Sequence, residues 1–211
     1  MKNNAAKTLW MVELAVLIAI LAVLAVTGLG YISYGVVSIT ILHIPVIITS
    51  LLLGWKSGAV MGFAFGLTSM LLSTFRGASA ADLFFSPFGP HGLPLQSIIM
   101  CFVPRILLGI VPDRLAALFL HLFTKKDANG ARTVAKVPAY ALASLLSTAM
   151  HTFLVLFCMF LWFVPAMSFT DKLSAVFGVV IGVNGVLEAV AAALIAPAVA
   201  IPVKAYLNSR R

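Results

Sequence analysis

Apolar residues run along this chain in long stretches separated by short polar connections. A helix that crosses a membrane needs about 20 mainly apolar residues. Six stretches qualify, at about 10–28, 36–54, 57–75, 97–121, 139–164 and 173–203. The last is long and contains Pro197 and Pro202, so its end is expected to bend or to lie at the interface. The pattern predicts an all-α polytopic membrane protein, with six transmembrane helices in one domain over residues 1–211.

The segment from Leu42 to Phe88 organises this pattern. Two apolar runs are joined there by the turn Gly54-Trp55-Lys56-Ser57-Gly58. The second run carries Gly58, Gly62 and Gly66, each four residues apart. On a helix that spacing makes one stripe, with almost no side chain between its backbone and a neighbour. The run ends at Arg76 and enters the longest external connection, Arg76–Gln96, which contains Asp82, Phe84, Phe85, Ser86, Pro87, Phe88 and His91. Prolines beside aromatics limit its freedom. It reads either as a lid over a binding site or as an aromatic anchor in the interface. A second small-residue stripe lies in span one, where Ala15 and Ala19 share a face and Ala22 and Ala25 follow. It reads either as internal packing or as a docking face for a separate membrane subunit.

Composition agrees with the helices: 62% of residues are hydrophobic and 9% charged, against about 25% charged in a soluble domain. The net charge of +8 raises the question of nucleic acid, and its distribution answers it. With a cytoplasmic N-terminus, Lys2, Lys7, Lys56, Lys125, Lys126, Arg132, Lys136, Lys204, Arg210 and Arg211 all fall inside. Only Arg76 and Lys172 fall outside, while Arg105 and Arg114 sit within span four. This bias gives an N-in, C-in topology and explains the charge without nucleic acid. The first apolar run follows Lys2 and Lys7 as a signal peptide would, but it has the length of a full span, so a retained helix is expected. Cys101 and Cys158 lie in apolar runs and read as core residues, not a disulfide or metal framework.

Ionisable side chains inside a span are costly and mark functional candidates. His43, beside Pro45, lies about 10 Å below the outer end of span two, and Arg105 about 12 Å below that of span four. Asn184 and Glu188 share a face of span six, with Gly182 and Gly185 leaving room beside them. His43, Arg105 and Asn184 are expected in the outer half of the bilayer, with His151 and Glu188 deeper. That arrangement makes an outward-opening polar cavity under Phe88. Two alternatives stay open: His43 as a packing residue, and Arg105–Glu188 as an internal ion pair. Asp113 and Arg114 are expected near the inner face, paired or reaching the interface, and Trp162 as an interfacial anchor.

No Gly-x-x-x-x-Gly-Lys-Ser/Thr loop, Gly-x-Ser-x-Gly elbow, His-Glu-x-x-His or Cys-x-x-Cys occurs. No catalytic residue or cofactor is expected. A self-powered secondary transporter would need coupling-ion sites and usually repeated halves; no convincing repeat is visible.

Several strings together resemble a known family over nearly the whole chain. They are Ala15-x-x-x-Ala19, HIPVIITSLLLGWKSGAVMGFAFGLTS at 43–69, FSPF at 85–88, FVPRILLG at 102–109, and the Asn184–Glu188 pair. The chain resembles the substrate-binding S components of energy-coupling factor vitamin transporters, most like the pantothenate-specific branch. Trp55-Lys56-Ser57 departs from the Gly-Pro-Lys-like turn expected there. The resemblance implies a bacterial cytoplasmic-membrane protein without enzyme activity, which captures a vitamin at the outer face. It implies docking through Ala15, Ala19 and Ala22 onto a transmembrane coupling subunit driven by two cytoplasmic ATPases. Pantothenate suits the candidates: its carboxylate for Arg105 or Arg76, and its hydroxyl and amide groups for Asn184, His151 and the loop backbone. His43, Ser86, Phe88 and Glu188 complete the expected site. A thiamine precursor, folate or riboflavin is the alternative substrate.

Overall fold

The computed structural model of the chain describes residues 2–34, 37–76, 82–126, 132–164 and 167–210. Its long helices are α1 (Lys2–Thr27), α3 (Trp55–Phe75), α4 (Pro94–Leu122), α5 (Lys136–Phe163) and α7 (Val183–Arg210). Each contains a segment long and apolar enough to cross a membrane. Two shorter helices, α2 (His43–Leu53) and α6 (Phe169–Ile181), complete the bundle. Two short antiparallel hairpins join helices: β1 (Tyr31–Tyr34) with β2 (Val37–Thr40), and β3 (Thr124–Lys126) with β4 (Arg132–Val134).

The second apolar stretch therefore divides. Its first residues pair as a strand, Tyr31 opposite Thr40, and helix begins only at His43. Val37, Ile39 and Thr40 are β-branched, and this favours extended backbone. Eleven helical residues span about 16 Å, too short to cross alone. Instead α2 fills the middle of the bundle and touches α1, α3, α4, α5 and α7. Every residue from His43 to Leu51 is buried. A helix apolar all round is stable in such a position.

The sixth stretch also divides, toward its start rather than at its prolines. Pro197 and Pro202 lie inside α7, while the helical path breaks at Gly182, whose backbone is extended (φ −60°, ψ 168°). A proline removes one backbone bond, and bundle helices absorb that loss. An extended glycine stops the ladder.

The tightest pairing is α3 on α4. A Cβ at Gly58 would strike the Gly109 carbonyl, and one at Gly62 would strike the Arg105 carbonyl. A Cβ at Gly66 would come within 2.8 Å of the Cys101 carbonyl oxygen. The stripe read from the sequence is thus a seam of backbone against backbone, and its partner is the helix that carries Arg105.

At the other end of α3, a cluster fixes the α2–α3 turn. The Trp55 backbone N–H donates to Asp113 Oδ2 at 3.2 Å, and the Asp113 N–H donates to Ser50 Oγ at 3.2 Å. A carboxylate at the start of α3 suits the exposed N–H groups there. Arg114 lies 4.9 Å over the Trp55 ring. Asp113 and Arg114, adjacent in the chain, thus serve the turn in two separate ways. Trp10 Nε1 donates to Ser57 Oγ at 2.9 Å, and Lys204 Nζ donates to the Leu51 carbonyl at 2.8 Å. The N-terminal half of α1, the α2–α3 turn and the C-terminal half of α7 therefore share one end of the bundle, as an even number of crossings requires.

Candidate functional site

Arg105 is the centre of the opposite half. It is only 6% exposed, and its main chain is clamped against Gly62. Its Nη1 donates to the Met100 carbonyl. The guanidinium lies 4.8 Å over the Phe85 ring and 5.6 Å over the Phe65 ring. Two aromatic faces stabilise a cation there. Phe65 reaches Arg105 because it follows the glycine seam, between Gly62 and Gly66.

Phe65 also touches His151, with ring centroids 6.0 Å apart. The His151 Nε2 is shielded from solvent with no hydrogen-bond partner among the described residues, and the same holds for Ser147 Oγ. Ser147 and His151 are one helical turn apart on α5, so they share a face. His43 is buried at the start of α2, where its Nε2 donates to the Glu188 carbonyl at 3.4 Å.

The loop after α3 covers this group. Residues Asp82–Phe85 form one 3₁₀ turn. The Cys101 thiol donates to the Phe85 carbonyl at 3.1 Å. Ser86 is buried, 3.0 Å from the Thr74 hydroxyl, and its Oγ accepts the Phe88 N–H at 3.3 Å. Phe84 stacks on His91 at 4.4 Å and meets Phe163 at 5.0 Å. The loop is thereby fastened to α3, α4 and α5 at once.

Other expected site residues have different neighbours. Phe88 is 85% exposed and points away from Arg105; Phe85, three residues earlier on the same short motif, is the ring that packs inward. Arg76 Nη1 donates to the Val26 carbonyl at 2.8 Å, tying the outer end of α3 to the last turn of α1. A cation suits that carbonyl-rich helix end. Glu188, the alternative counter-ion for Arg105, accepts the Thr40 backbone N–H on its Oε1 at 2.7 Å and holds the β1–β2 hairpin against α7. Asn184 lies in the first turn of α7, and its side chain is outside the described residues. Ala15, Ala19 and Ala22 are all exposed, whereas Leu14, Leu21 and Ala25 bury the opposite face of α1.

Sequence reasoning did not assign Phe65, Phe85, Thr74 or Cys101 to the site. Phe65 carries a signal in its place between seam glycines; the other three depend on the path of the loop. Chemically, the group offers a held cation, two imidazoles and aromatic walls. It suits an anion with further hydrogen-bonding groups. Among the described residues, no cluster of three potential metal ligands occurs.

The family model described as "ECF transporter, substrate-specific component" matches residues 10–200. The pantothenic acid transporter PanT of Lactococcus lactis subsp. cremoris is 35% identical over 165 residues, which are 76% of this chain and 74% of that protein.

Proposed function

Since the chain belongs to the family of substrate-specific components of ECF transporters, we propose that it captures pantothenate at the outer face of the bacterial cell membrane and delivers it with separate energy-coupling subunits. The observation that carries this reading is Arg105, an internal cation held between Phe65 and Phe85 under a fastened loop. A guanidinium has five N–H donors in a rigid fork, so it can serve the Met100 carbonyl and a substrate carboxylate together. His151 and Ser147 supply hydrogen bonds to hydroxyl and amide groups, with Asn184 beside the α7 break. The Phe84–His91–Phe163 cluster closes the outer side. The relative from Lactococcus supports pantothenate as the substrate.

In this reading Ala15, Ala19 and Ala22 receive a transmembrane coupling subunit, and two cytoplasmic ATPases supply the work. The test compares binding with transport. Purified protein alone is expected to bind pantothenate in a calorimeter, with affinity reduced in Arg105→Ala. In liposomes it is expected to move none until the coupling subunit and ATPases are added. Accumulation of pantothenate by the lone protein would overturn the division of labour, and absent binding would overturn the substrate.

A further inference from the structure

A cavity of about 360 Å³ opens between the inner halves of α5 and α7, at the other end of the bundle from the fastened loop. Val137 and Ala141 form one wall; Leu194, Pro197, Ala198 and Ile201 form most of the other. Every lining residue is apolar, so nothing there could orient a polar solute. Alanines and prolines leave the space unfilled, where longer side chains would close the seam between the helices. Leu194 and Val137, on the two walls of the groove, are 67% and 61% exposed. The opening therefore faces the region a bilayer's hydrocarbon occupies.

Charge appears at one end only. Lys136 precedes Val137 at the start of α5 and is exposed. Lys204 follows Pro202 by two residues, half-buried, with its Nζ bound to the Leu51 carbonyl and 5.8 Å over the Tyr140 ring. An ammonium has three N–H donors, so both contacts leave Lys204 able to serve an anion. The positive-inside bias puts this end in the cytoplasmic leaflet, where anionic headgroups gather.

From this placement we infer that the α5–α7 groove is a binding site for an anionic phospholipid of the inner leaflet, with an acyl chain in the cavity and its phosphate at Lys136 and Lys204. Size separates this occupant from a helix of a partner subunit. A helix about 10 Å across, running the roughly 13 Å from Ala193 to Pro202, would displace on the order of 1,000 Å³. An acyl chain is far thinner.

Native mass spectrometry of the purified chain, released from detergent containing phosphatidylglycerol or phosphatidylcholine of identical chains, tests the site. One phosphatidylglycerol is expected to stay bound where phosphatidylcholine does not. Lys136→Gln should weaken its retention about fivefold. Ala198→Leu, which fills the groove, should abolish it while the protein stays monodisperse with an unchanged melting temperature. If Ala198→Leu fails to fold, Ala141→Val makes the same test with less added volume. Equal retention of both lipids, or retention unaffected by groove filling, would overturn the site. So would efficient cross-linking of the Ala198→Cys variant to the coupling subunit in the assembled transporter, because protein would then occupy the groove. None of these readouts depends on which vitamin binds.

Discussion

Two stripes of small residues at three- or four-residue spacing, one on α3 and one on α1, have opposite fates. Gly58, Gly62 and Gly66 are pressed into the backbone of α4. Ala15, Ala19 and Ala22 face outward, exposed along α1. Yet α1 is not loose. Trp10 pins its inner half to Ser57, and Arg76 pins its outer end through the Val26 carbonyl. An element held firmly at both ends, with its smoothest face open, presents that face. The glycine stripe is consumed in building the site, because the same contact that hides Gly62 fixes the main chain of Arg105. Small residues thus show where a backbone can be approached closely, and say nothing of whether the approaching backbone is the chain's own.

The strongest way to break this comparison is to give both stripes a side chain. Gly62→Leu forces atoms into the Arg105 carbonyl, and overpacking of this kind costs about 1–3 kcal/mol or more. A large fall in melting temperature and loss of pantothenate binding are expected, whereas Ala15→Leu in isolated protein should change neither. Similar melting curves for the two would show that the seam tolerates separation.

The second test reads the open stripe directly. Ala15→Trp or Ala19→Trp should leave vitamin binding intact and reduce transport about tenfold or more, a loss of at least roughly 1.4 kcal/mol in assembly. If the complex with the coupling subunit still forms with either tryptophan in place, docking occurs elsewhere.

A third substitution asks whether the covered seam serves the site. Arg105→Ala removes a charge-assisted contact worth about 1.5–3 kcal/mol, so pantothenate affinity should fall about 10- to 150-fold. Subunit assembly should be unaffected. Calorimetry beside a pull-down separates the two, and an unchanged affinity in folded protein removes Arg105 from the site.

The smallest effect concerns the loop that the seam supports. Ser86→Ala loses the contact with Thr74 and the acceptor for the Phe88 N–H, about 0.5–1.5 kcal/mol if each is partly replaced. Vitamin release measured by stopped flow should quicken about two- to tenfold, with a fall in melting temperature of no more than about 5 °C. Release at the original rate would show that Phe84, His91 and Phe163 hold the loop by themselves.

Much of the candidate site was legible in the sequence, for a simple reason. An arginine inside an apolar run is conspicuous wherever the run folds, so Arg105 needed no structure to be found. His43 and His151 were visible on the same ground. Neighbours on one motif were harder. Ser86 was picked out and does tie the loop to α3, but Phe88 faces outward while Phe85 covers Arg105. The 3₁₀ turn through Phe85 decides which ring points in, and residue type does not reveal that direction. Glu188 shows a further limit. Its charge called for a cation, and its position offered the backbone N–H of Thr40 in a hairpin the hydropathy pattern had merged into span two.

By itself the sequence determined the membrane class, the approximate spans, the family and the internal cation. Each follows from local quantities: the transfer energy of apolar runs, the cost of a buried charge, and strings of neighbouring residues. Only the tertiary structure decided where α7 breaks from α6, which small-residue stripe was covered, and which polar groups turned toward Arg105. Those outcomes depend on contacts between residues far apart in the chain, and such contacts have no energy until the helices meet.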